Sequence, residues 1–149
     1  MKSLFSASAR QEILQRLATL QNGATRHWGK MEPAQALAHC TAALEVATGD
    51  APKKQLLIGK LLSPFVRSSV LGEKPFPKNS PTDPGFVVGD ARDFEKERDR
   101  LVAIVNRACD RGPDGAAGSI HSFFGRLDGD EWGVLMYKHL DHHLRQFGQ

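Results

Sequence analysis

The stretch DGDEWGVLMYKHLDHHLRQF (128–147) decides how the rest of the chain is read. Wound at about 100° per residue, Trp132, Leu135, Met136 and His139 fall on one stripe, with Phe147 on the same apolar side. Asp128, Asp130 and Glu131 suit the positive end of a helix dipole, so a helix is expected from near Asp128 to about Phe147. His143 lies one turn beyond His139 on the same face. Gln146 also falls inside the stripe and His142 at its margin. Lys138, Asp141 and Arg145 are expected on a solvated edge. Two adjacent imidazoles on a buried stripe are costly unless something satisfies both. A core histidine held by hydrogen bonds and a metal ligand both meet that demand, and spacing alone leaves the two open.

A third imidazole comes from QALAHC (35–40). Residues around 32–48 read as a helix, with Pro33 in its first turn and Gly49 ending it. His39 stacks there with Glu32, Gln35, Ala36, Ala42, Ala43 and Val46. Leu37 and Leu44 lie on another side, which gives His39 a neighbourhood of small residues and one amide. His39, His139 and His143 would together make a three-histidine site for a divalent ion, with room for water or substrate. Imidazole suits zinc, nickel, iron and copper. Gln35, one turn before His39, is a candidate to orient a ligand. Glu32 is a candidate base that also suits the helix start, and His121 a candidate that approaches from a loop. Cys40 points about 100° away from His39 and reads as a small buried residue.

Two more helices are expected. Residues around 6–21 place Ile13, Leu14, Leu17 and Leu20 on one stripe and stop at Asn22-Gly23. Residues around 91–110 repeat Phe94, Arg98, Leu101, Val105 and Ala108 and close at Gly112-Pro113. No useful run alternates with period two, so the chain reads as all-α, most simply a four-helix bundle in one domain over 1–149. The connection from about Gly49 to Asp90 is long for such a bundle. KKQLLIGKLLSPFVRSSVLG is expected to hold one or two short helices interrupted near Ser63-Pro64. KPFPKNSPTDPG, with Pro75, Pro77, Pro81 and Pro84, is expected to be irregular, as a strap or a lid. Residues 51–80 carry six cations against Glu73, a net +5 that reads first as a solvated face and second as a surface attracting an anion.

Composition narrows the partners. At 149 residues the chain can bury a real core, and 40% hydrophobic with 25% charged residues is ordinary for a globular protein. A net charge of +3 and a pI near 9.0 are mild, and no basic stripe interleaves with aromatics, so no nucleic-acid partner is expected. No apolar run is long enough to span a membrane, and no membrane partner is expected. Two cysteines outside any CxxC pattern indicate neither a disulfide framework nor a zinc ribbon. MKSLFSASARQEIL is polar where a leader needs its apolar core, so a cytoplasmic location is expected.

WGKMEPAQALAHC (28–40), LGEKPFPKNSP (71–81) and HSFFGRLDGDEWGVLMYKHLDHHLRQFG (121–148) resemble an uncharacterised bacterial family within the DinB/YfiT-like superfamily. The resemblance implies an up-down-down-up four-helix bundle with a long Pro-rich crossover between its second and third helices. It implies a divalent metal held by His39, His139 and His143. Some superfamily members resemble thiol S-transferases that use low-molecular-weight thiols, and others look like hydrolases or isomerases. The implied function is a metal-dependent transferase or hydrolase that activates water or a thiol for a small-molecule substrate, and a homodimer is implied as well. The alternative is a non-catalytic bundle that binds metal or a partner in stress response. Relatives commonly read HPFFG where this chain has Ser122 in place of the proline, which leaves the approach to the last helix less rigid.

Overall fold

A computed structural model describes residues 1–80 and 82–149; Pro81, read above as part of the irregular segment, lies outside the described residues. Among the described residues the chain is mostly helical, with five α-helices: α1 (Ala7–Thr19), α2 (Pro33–Ala47), α3 (Leu57–Val70), α4 (Phe94–Ala116) and α5 (Gly129–Gln146). A hairpin of two-residue strands, β1 (Ile120–His121) and β2 (Gly125–Arg126), precedes α5. The helices α1, α2, α4 and α5 pack on one another, α2 and α4 most extensively. Ile13, Leu17, Leu44, Leu101, Val105, Leu140 and Leu144 are buried between them. No helix among the described residues is long and apolar enough to cross a membrane.

Local chemistry explains where the helices begin. Ser6, Asp93 and Asp128 each place a side-chain oxygen on the first free N–H groups of α1, α4 and α5, the orphan donors of a helix start. Glu131 returns the favour by accepting from the Asp128 N–H at 3.0 Å, which completes a capping box. Gly112 sits at φ 65, ψ −169 and breaks α4. A further helical turn follows it to Ala116, beyond the end expected from Gly112-Pro113.

Three expectations need correction. The break near Ser63-Pro64 does not occur, and α3 runs through Pro64 as one helix. The proline removes one bond to the Lys60 carbonyl, and both residues are exposed, so water can satisfy what is lost. The hairpin at 120–126 was not expected, because two-residue strands are too short to show alternation. Lys138 is buried instead of lying on a solvated edge: its ammonium donates to the Val70 carbonyl and, at 2.7 Å, to that of Gly72. A cation is thereby spent on the negative end of α3.

The remaining attachments of α3 are just as local. Arg67 donates to Glu131 at 3.0 and 2.6 Å, and the Leu56 N–H donates to the Ser122 carbonyl at 2.8 Å. Gly59 lets the helix touch the hairpin, since a Cβ there would lie 2.3 Å from the Phe123 carbonyl oxygen. Backbone cannot yield cheaply to such a clash. Gly59→Ala is therefore expected to undock α3 at a cost of about 1–3 kcal/mol. Limited proteolysis should show new cleavage within residues 53–74, and an unchanged digest would remove this account of the glycine.

Candidate metal centre

His39 comes from the middle of α2, and His139 and His143 from successive turns of α5, the helix that faces it. One ligand atom from each of the three rings lies within 4.8 Å of the other two. The ring centroids are 4.8–4.9 Å apart in all three pairs, each edge to face. His39 is buried, and His139 and His143 keep only part of their surface exposed.

Hydrogen bonds fix which nitrogen carries the proton in two of the three rings. The Phe86 carbonyl lies 2.8 Å from His39 Nδ1. A carbonyl only accepts, so this nitrogen carries the proton and Nε2 keeps its lone pair. His143 Nδ1 lies 2.9 Å from Gln146 Oε1, while the other end of that amide donates to the Trp28 carbonyl at 2.7 Å. The amide orientation is thus determined, and His143 also keeps its proton on Nδ1. His39 Nε2 meets His139 Nε2 at 3.0 Å. Two nitrogens bound to one tetrahedral ion at about 2.05 Å would be about 3.3 Å apart. The pair is already near that separation, and the widest gap must close by about 1.5 Å to reach it.

The imidazoles are poor bases in this setting. Burial pushes His39 below its ordinary range. Burial lowers His139 further, aided by the neighbouring imidazoles. His143 falls to about 3, chiefly by burial and then by repulsion from His39. All three are therefore neutral at physiological pH, the form that binds cations. The arrangement can hold a divalent metal ion.

The other candidates are placed elsewhere. Gln35 is occupied at both ends of its amide: Oε1 accepts the Glu32 N–H at 2.9 Å, and Nε2 donates to the Asp90 carbonyl at 3.1 Å. Glu32 is exposed, caps α2 and pairs with Arg26. Both residues organise the helix start and are not gathered into the cluster. His121 Nδ1 accepts the N–H groups of Phe123 and Phe124 at 3.0 and 3.2 Å and so closes the hairpin turn. Burial lowers its pKa to about 4. Ser122, standing where relatives were expected to carry proline, is buried in the hairpin. His142 packs on Trp28 and Phe76, outside the triad. Cys40 is buried, which drives its thiol far up and keeps it protonated.

Two contributors were not read from the sequence as parts of the site. Phe86 supplies only a backbone carbonyl, which leaves no mark on residue type. Gln146 was placed on the inner stripe, but its bond to His143 at i+3 was the signal that could have assigned it a role. The chain that follows the Pro-rich run thus reaches the site, where the Phe86 carbonyl orients His39.

The fold and this cluster define a helical protein with a possible three-histidine metal site. Residues 2–149 match the model of the family described as "Protein of unknown function (DUF1569)", and the chain belongs to that family. No curated protein and no solved structure matches it.

Proposed function

We propose that the protein is a divalent-metal enzyme of the DinB-like type, in which α1, α2, α4 and α5 form the up-down-down-up bundle and residues 48–93 its crossover. His39, His139 and His143 hold the ion. The observation that carries this reading is the pair of locked tautomers: the Phe86 carbonyl and Gln146 Oε1 take the Nδ1 protons of His39 and His143. Outer partners of this kind orient imidazole ligands in metal sites generally. A dipositive ion bound by neutral imidazoles lowers the pKa of water or a thiol toward neutrality, which supplies a nucleophile at cellular pH. The partly exposed side of His139 and His143 gives a small substrate, such as a low-molecular-weight thiol with its electrophile, a way to the centre.

Metal content after purification without chelator tests the centre. About one ion per chain is expected, and its absence under metal-replete growth would sink the reading. Metal-loaded protein offered thiol and electrophile panels tests the chemistry. Turnover lost in His39→Ala supports an enzyme, whereas bound metal without turnover on any panel leaves a metal-binding bundle.

The locking amide has its own consequence. Gln146→Leu keeps the volume and removes the acceptor for His143 Nδ1–H. A loss of about 10–100-fold in metal affinity is expected by competition with a chromophoric chelator. Unchanged affinity would show that the amide only packs.

A further inference from the structure

Six of the large exposed hydrophobic residues lie on a single helix. Leu57, Ile58, Leu61, Leu62, Phe65 and Val66 of α3 are all exposed, Leu57 at 82% and Phe65 at 79%. At about 100° per residue they fill one continuous half of the helix, broken only by Ser68 and Ser69. The opposite side holds Gly59, Ser63 and Arg67, which touch the protein. The helix therefore turns its apolar side outward, against the usual rule for a helix packed on a core. The exposed side chains offer on the order of 600 Å² of apolar surface, the upper end of the largest patches on monomers.

Charge selects what covers this face. Lys60 is exposed on α3, Lys54 and Lys74 are exposed within four residues of its ends, and Glu73 is the one acidic residue between positions 51 and 80. Arg67 is occupied by Glu131, Lys53 lies over the Phe86 ring and Lys78 over that of Trp28. A second copy of the chain would set this basic rim against itself, and like charges facing each other oppose association. An anionic lipid surface meets both features at once. It accepts Leu, Ile and Phe among its acyl chains and attracts the lysines that border them.

We propose that α3 docks this protein on anionic membrane surfaces, lying in the interface plane without crossing it. The sequence reading expected no membrane partner because no run is long enough to span one, and an interfacial contact departs from that expectation without needing a span. Gly59 and the clamps from Arg67 and Lys138 hold the helix against the body so that its apolar half stays presented. The docking stands independently of the metal reading.

Co-sedimentation of the full chain with vesicles tests it. Binding is expected to vesicles of phosphatidylglycerol and phosphatidylcholine, and at least about tenfold less to phosphatidylcholine alone or in high salt. Each of Lys54→Gln, Lys60→Gln and Lys74→Gln should weaken binding about fivefold. Leu61→Gln with Phe65→Gln should abolish it while leaving thermal unfolding in place, since both side chains are exposed. Failure to sediment with the anionic vesicles overturns the proposal, as does binding that the double variant retains. A wild-type mass of two chains that the double variant returns to one, without vesicle binding, assigns the face to a second copy.

Discussion

Replacing His143 by Ala is expected to abolish stoichiometric metal binding and, with it, any stabilisation the metal confers. In the proposed site three ring nitrogens converge without a carboxylate among them, so each would carry a large share of the affinity. Loss of an outer partner costs about 10–100-fold in metal sites, and loss of a ligand should exceed that range. Metal at about 100 times its dissociation constant should stabilise the wild-type fold by about 2.7 kcal/mol. For a chain of this size that corresponds to a rise of about 5–10 °C in Tm. The His143→Ala variant should show no rise at the same metal concentration. The informative control is His142→Ala, whose ring packs on Trp28 and Phe76 and edge-on against His143, the proposed ligand. It should bind metal as the wild type does. A shift that vanishes in His142→Ala and persists in His143→Ala would reverse the assignment.

Helical phase carried most of what the sequence could reveal. On α5 a single apolar stripe was enough to place His139 and His143 inward and His142 at the margin, because a regular helix converts sequence number into direction. The same reasoning failed at Lys138. Its predicted direction ignored α3, whose C-terminal carbonyls come from a segment almost 70 residues away in sequence and demand a cation. Glu32 and Gln35 were on the expected side of α2 but one turn too close to its start, where unpaired N–H groups compete for side-chain oxygens. Phe86 stayed illegible because its contribution is a carbonyl, which every residue possesses. The outward face of α3 was hidden for another reason: an apolar half-helix reads the same whether it faces a core or solvent.

Acid should unfold the metal-free protein well before its carboxylates account for it. Burial depresses His121 from 6.5 to about 4 and His143 to about 3, and it lowers His39 and His139 in the same direction. Above pH 6.5 these imidazoles are neutral in folded and unfolded chains alike, and their full contribution to stability is present. As the pH falls below 6.5, the unfolded chain takes up protons that the fold refuses, so stability declines. The decline from His121 ends near pH 4 and that from His143 near pH 3. Each such group contributes a slope of up to about 1.4 kcal/mol per pH unit. Two or more acting together over two pH units remove several kcal/mol, comparable to the whole stability of an ordinary domain at about 5–15 kcal/mol. Urea midpoints measured from neutral pH down to pH 4 should fall steeply. The His121→Gln variant should flatten the profile without touching metal binding, because its ring closes the hairpin turn instead of joining the triad. The His143→Ala variant should flatten it and lose the metal as well. A wild-type profile that stays level between pH 6.5 and 4 would mean that water reaches these rings far more freely than their packing suggests. The argument for neutral ligands ready to bind a cation would then fall with it.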